Sequence, residues 1–396
     1  MAKQDPRAAS RPEQTPQEAR RKRRKKARHA ALRRLVVLLL LVGLIAVLLL
    51  NWDTLAPDKL LSKWQDSMND AAGSYPIDVS GTNVKLLTHV QNYTLALSDS
   101  HLIFYNAAGG ELTRYSCTYS KTVLRAAGKY VLLAEQGGKR LQLLTRSMLL
   151  AELTTEQPIL AADVNEKGQF AVLTQGAQGY AVQATVYDRK GQELYSRSRT
   201  RLASEIALSR DGKQIATLSV EVTGGTLDTV AEVFSLASTD TQASYTYTAP
   251  DTLLYRLYYL PDGRLRVIGE DGLRLLDPEK QQEQLYAVDG HLLGYAVTDS
   301  GIALAVRDWG DTGDGCVVVL DTAMTERCRV DFTGDFRHLS AQGQEYLLLT
   351  DARAQSIGFS GALLSAEVAA DGQQAVLNGH TAIVLGLSAI ASYSLA

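Results

Sequence analysis

From Ser74 onward, short runs of Val, Ile, Leu, Thr and aromatic residues alternate with Gly, Asp, Asn and Ser turns every 8–12 residues. No long stretch keeps its apolar residues at helical spacing. This texture predicts an all-β sandwich, barrel or propeller, and a longer period decides among them. The stretch VKLLTHVQNYTLALSDSHLIFYNAAGGELTRY from Val84 reads as four strands joined by turns. The same order returns from Val123, Ile159, Ala203, Leu254, Leu292 and Phe336, with starts 36–51 residues apart. That spacing is close to the ~40–45 residues of a four-stranded propeller blade.

Local chemistry agrees with the period. In NEKG, SRDG, LPDG and TDSG, Gly closes a tight turn that needs positive φ, and Asp or Asn bonds its own backbone. The runs that follow such turns, QIATLSV, RLRVIGE and IALAVRD, are apolar on both faces. They suit second strands buried between neighbouring blades. Phe336 to Ala396 holds one full unit, and QQAVLNGHTAIVLGL then supplies only two or three more strands. A strand from the start of the domain would close the ring and remove its exposed edge. YPIDVSG, Tyr75–Gly81, stands alone before the first unit and is placed to do so. The expected fold is a β-propeller of seven or eight blades, eight favoured, over residues 74–396.

The N-terminal part has a different pattern. Leu35 to Leu50 is sixteen residues of Leu, Val, Ile, Ala and one Gly. At about 1.5 Å per residue it spans roughly 24 Å, short of a ~30 Å hydrocarbon core. Leu32, the stems of Arg33 and Arg34, and Trp52 at the far interface extend it. Residues 32–52 are therefore expected to be one transmembrane helix. Ten cations precede or border the run: Arg20, Arg21, Lys22, Arg23, Arg24, Lys25, Lys26, Arg28, Arg33 and Arg34. None lies in Asn51-Trp52-Asp53, so the N-terminus is expected in the cytoplasm and the C-terminal bulk outside the plasma membrane. A cleaved signal peptide is the rival reading. The run is longer than the usual ~7–15 apolar residues, and NWDTLAPDK offers no small-x-small cleavage site. An uncleaved single-pass signal-anchor is expected.

Residues 1–31 are rich in Pro, Arg, Gln and Glu and too poor in apolar residues to offset their ordering entropy, so a disordered basic cytoplasmic tail is expected. In residues 53–73, Leu60, Leu61, Trp64, Met68 and Ala71 recur at helical spacing between Pro57 and Gly73, which predicts a short amphipathic juxtamembrane helix.

Charge follows the same division. Residues 1–34 hold 13 Lys and Arg against 3 Asp and Glu, and the remainder 28 against 40. A basic tail beside a bilayer suits anionic lipid headgroups, at about 1 kcal/mol per basic residue. Since topology accounts for this charge, no nucleic-acid partner is expected. Cys117, Cys316 and Cys328 are too few for a disulfide scaffold. A bridge between Cys316 and Cys328 across neighbouring strands is conceivable, and small buried residues are the preferred reading.

The turns SRDGKQIATL and LPDGRLRVIGEDGLRLLD resemble the strand–DG–strand units of WD40-like and quinoprotein-like propellers. A basic tail, one anchor and a divergent outside propeller also resemble an uncharacterised domain-of-unknown-function family of bacterial single-pass membrane proteins. The resemblance implies fold and location and brings no activity. Regular GH…WD pairs and the quinoprotein tryptophan repeats are both missing, Trp309 being the only Trp after Trp64.

Catalytic motifs are also missing. No P-loop, HExxH, GxSxG elbow or dinucleotide fingerprint follows a suitable strand. No two of the six histidines lie at i, i+2 or i+4, and His291 in DGHLLG reads as a turn residue. The one cluster with metal chemistry is RDWGDTGDGC, where Asp308, Asp311 and Asp314 are evenly spaced in a Gly-rich loop. Ca²⁺ takes six to eight oxygen ligands, but the spacing is not that of a known calcium loop, and a polar connection between strands is the preferred reading. No cofactor is expected. The pattern favours an extracytoplasmic binding or scaffolding module for a protein or envelope-polymer partner. The alternatives are a propeller-axis hydrolase or lyase, and a sensor working through a separate cytoplasmic partner. Three or more convergent ionisable groups at the axis would favour the enzyme, and an axis of Ala, Ser and Leu would argue against it.

Overall fold

The computed structural model describes residues 71–396 apart from 239–241 and 311–312, all within one compact unit, Asn69–Ala396. The described residues form thirty-two strands, numbered here in chain order, in eight four-stranded antiparallel sheets. Blades 1 to 7 are continuous in sequence, covering 84–116, 122–154, 159–199, 203–249, 254–287, 291–332 and 336–367. Their starts match the repeat starts to within one residue. Blade 8 takes β30 (Gln374–Asn378), β31 (Thr381–Leu385) and β32 (Ala389–Ser394) from the C-terminus and β1 (Ile77–Asp78) as its outer strand. Ile77 pairs with Ile390, and Asp78 with Ala389. The closing strand is shorter than the Tyr75–Gly81 run, because Pro76 has no N–H for the ladder and the Asp78 carboxylate accepts from the Ser80 amide at 2.9 Å to begin a turn.

The innermost strands face one another around the ring. Blade 8 meets blade 1 there: Gln374 accepts from the Leu87 amide at 2.8 Å and donates to the Lys85 carbonyl at 2.9 Å. The core lies between blades rather than within one. Leu95 and Leu97 of blade 1, for example, pack with Val131 and Leu133 of blade 2. That placement requires second strands apolar on both faces, and Leu265–Gly269 is buried at every position. Arg266 in that strand is the exception in type: it is fully buried and donates to the Gly301 carbonyl of blade 6 at 2.8 Å. Burial pushes its pKa down to about 10, with Tyr346, Asp262 and Asp321 only partly pulling it back.

At the start of the described chain, Asn106 Nδ2 of blade 1 donates to the Ala71 carbonyl at 2.8 Å. A Cβ on Gly110 would lie 2.2 Å from that carbonyl oxygen, so the close approach requires glycine.

The proposed tail, anchor and most of the amphipathic segment, including Leu35, Leu50, Trp52 and the ten cations from Arg20 to Arg34, lie outside the described residues. Among those described, no helix is long and apolar enough to cross a membrane. Cys316 and Cys328 do not bridge. In β24 (Gly315–Asp321) and β25 (Glu326–Phe332), Cys316 is opposite Asp331 and Cys328 opposite Val319, and both thiols are free. They are partly rather than fully buried, whereas Cys117 is buried.

Candidate functional site

Each blade repeats the same strand order, so the turns from first to second strand share one face of the ring. The turns NEKG, SRDG, LPDG and TDSG are therefore gathered around one mouth of the axis. They border a cavity of about 340 Å³ whose walls come from blades 2 to 6.

Three ionisable side chains on inner strands line this cavity, Arg125, Asp163 and Arg256, and a fourth, Glu205, stands behind them against the two arginines. Arg125 comes from β6 (Thr122–Ala127), Asp163 from β10 (Ile159–Val164), Glu205 from β14 (Ala203–Leu208) and Arg256 from β18 (Leu254–Tyr259). Glu205 and Arg256 directly follow a register shift in their strands. Such bulges re-aim side chains, which places both groups on the axial side. Arg256 Nη1 bonds Glu205 Oε1 at 2.8 Å, while Arg125 Nη2 stands 3.8 Å from the same oxygen. Arg256 Nε also donates to the Tyr258 hydroxyl at 3.1 Å. Burial raises the pKa of Glu205, with Arg256 and Arg125 pulling it back. Burial likewise raises Asp163, against the Leu208 amide, Arg125 and Arg256. Burial and repulsion from Arg256 lower Arg125.

Part of this chemistry is architectural. Asp163 Oδ2 accepts from the Leu208 amide of blade 4 at 2.8 Å. Gln374 does the same for Leu87, and His338 Nδ1 lies 3.3 Å from the Ala375 amide and 3.0 Å from its carbonyl. Inner strands turn one unpaired edge toward the axis, and polar side chains from the preceding blade satisfy it. At the mouth, Arg210 lies between Glu166, at 3.3 Å, and Asp299 of blade 6.

The opposite face carries apolar groups. The hairpin of β15 (Gln214–Thr223) and β16 (Thr226–Ser235) is the longest of the described residues and turns at Gly224-Gly225, both at positive φ. Val222 is 75% exposed beside Leu227 at 42%, and the two are opposite one another in register. Leu202 and Leu253, also exposed, lie in the connections on either side. Those connections are tied to the hairpin by Val220 N to Leu202 O at 3.3 Å and by Thr229 Oγ1 to Thr252 O at 2.8 Å.

The RDWGDTGDGC loop lies on this face. Asp308 and Asp314 border one cleft with Cys316, Arg329 and Asp331, and Asp311 is outside the described residues. No group of three or more His, Cys, Asp or Glu among the described residues could hold a metal ion. His291 is not a turn residue: it opens β22 (His291–Val297) and meets the exposed Trp309 ring edge-on at 4.0 Å. The axial groups were missed as a set because they come from four blades. Their only sequence signal is that charged residues interrupt strands otherwise apolar.

The architecture defines a closed eight-bladed β-propeller. Solved structures resemble it: Sqt1 of Saccharomyces cerevisiae matches at TM-score 0.55 and 10% identity over 82% of this chain and 100% of that one. The Dos1 propeller matches at 0.54 and 10%, over 82% and 95%. BamB of Moraxella catarrhalis matches at 0.49 and 10%, over 81% and 99%. At 10% identity the likeness to Sqt1 and to the Dos1 propeller is one of fold. No curated protein matches the chain. A family model described as a family of unknown function (DUF5711) matches residues 70–378, and the chain belongs to that family.

Proposed function

We propose that the protein is a binding scaffold, a rigid propeller that presents the apolar β15–β16 hairpin and its flanks to a protein or envelope-polymer partner. The observation that carries this reading is the grouping of Val222, Leu227, Leu202 and Leu253 on one face around a projecting hairpin. Apolar residues exposed together, with a polar surround, suit an interaction surface. Glu221 is paired with Arg201, while Asp228 and Asp251 beside the apolar residues add negative charge, so the partner surface is apolar with basic residues.

The sequence supports a membrane setting for this scaffold. Leu35–Leu50, with Trp52 after it and the basic cluster before it, would hold the N-terminus in the cytoplasm and display the propeller outside, with the tail on anionic headgroups. Cross-linking in intact membranes tests the whole reading. A specific partner is expected with the wild type and lost in the Val222→Asp/Leu227→Ser double variant. Clean profiles with no envelope partner would count against it.

A second reading, an axial hydrolase or lyase, is favoured by one observation: Arg125, Asp163, Glu205 and Arg256 converge as such a site requires. Asp163, whose pKa burial raises, would be its acid. Asp163→Asn should then abolish turnover of a substrate that the wild type cleaves.

A further inference from the structure

We infer that the axial cavity is a binding site for a small organic carboxylate, with its carboxylate group received by Arg125 and Arg256 between blades 2 and 5. At about 340 Å³ the cavity has the size of a small-molecule site, such sites spanning roughly 300–1,000 Å³.

The charge distribution names the ligand class. Two guanidinium groups from different blades share one carboxylate, Glu205. Arg256 bonds it at 2.8 Å, but Arg125 stands 3.8 Å away, beyond hydrogen-bond distance. Arg125 turns Nη1 onto the Leu124 carbonyl at 3.0 Å, and its Nε has no acceptor. Asp163 gives one oxygen to the Leu208 amide and acts on both arginines through its charge without a hydrogen bond to either. Donors are thus left over where acceptors are short. A carboxylate supplies two coplanar oxygens that match a guanidinium fork.

At the mouth a third guanidinium, Arg210, offsets part of the acidic charge. Glu166 and Asp299, the acidic groups there, are both held by Arg210. Tyr258 and Tyr259 line one wall, which suits a ligand whose body beyond the carboxylate is aromatic or apolar. The inference does not rest on the scaffold reading, whose surface is on the opposite face.

Calorimetric titration of the full chain with benzoate tests it, with benzamide as the uncharged isostere. Benzoate should bind saturably to one site, benzamide at least about tenfold more weakly, and Arg125→Gln should weaken benzoate by about tenfold or more. Arg125→Lys, which keeps the charge and loses the fork, should fall between. If Arg125→Gln fails to fold, the wild-type preference for benzoate over benzamide decides alone. Equal binding of the two probes, unchanged benzoate affinity in Arg125→Gln, or no benzoate binding to the wild type at tens of millimolar overturns the inference.

Discussion

Arg256 of blade 5 reaches Glu205 of blade 4 across 51 residues of sequence and bonds it at 2.8 Å, with both side chains largely buried. Removing one member of a buried pair strands the other charge, at a cost of about 3–5 kcal/mol when both are fully enclosed. The open side of the cavity lets water reach this pair, so Arg256→Met is expected to cost about 2 kcal/mol. Glu205→Gln, which keeps an acceptor for Arg256, should cost less. Urea unfolding measures both, and an unchanged midpoint for Arg256→Met would show that the pair adds nothing to stability.

Asp163 gives the fold a pH dependence of known sign. Burial raises its pKa in the folded state, so above the ordinary carboxylate value of about 3.9 the folded protein binds this proton more tightly than the unfolded chain. Its contribution to stability therefore declines as pH rises through that window. Asp163→Asn removes the titration and keeps an acceptor for the Leu208 amide. The variant should gain stability relative to the wild type between about pH 4 and pH 7, and a relative loss over that range would contradict the assignment.

Gly110 has no room for a side chain where the chain entering the propeller crosses blade 1. Overpacking of this kind costs about 1–3 kcal/mol. Gly110→Ala is expected to fall in that range and to speed amide exchange in the Asn106–Gly110 turn. Unchanged exchange would mean that the entering segment does not dock there.

Ring closure depends on the two residues of β1. Deleting 71–79 would bare the edge of β32, an unpaired row of backbone groups open to another chain. The truncated protein should self-associate in size-exclusion chromatography and melt at lower temperature than the full chain. A monomer of unchanged stability would show that closure by β1 is dispensable.

Much of this fold is legible in the sequence, because blade structure is local. Each unit carries its own Gly-bearing turns and its own doubly apolar second strand, so repeat starts such as Ile159, Ala203, Leu254 and Phe336 coincide with strand starts. The incomplete last unit likewise pointed to a closing strand before Val84. The axial site was not legible, because Arg125, Asp163, Glu205 and Arg256 are brought together only by the curvature of the whole ring. In sequence each is one charge in an apolar strand. Whether Cys316 and Cys328 could bridge was likewise not decided by their spacing. Rough symmetry about the turn does not fix pairing: the Leu320–Glu326 pair beside the turn alone sets Cys316 and Cys328 two rungs apart, and the register shift at Val319 makes it three.

The scaffold reading is tested most directly by a photo-cross-linking residue placed at Val222 in the intact cell, compared with the same residue at the exposed Gln344 in the turn between first and second strands of blade 7, on the opposite face. A binding scaffold predicts a discrete adduct from position 222 that is absent from position 344 and lost when Leu227 is changed to Ser. Equal labelling from the two positions, or none from 222, would contradict it.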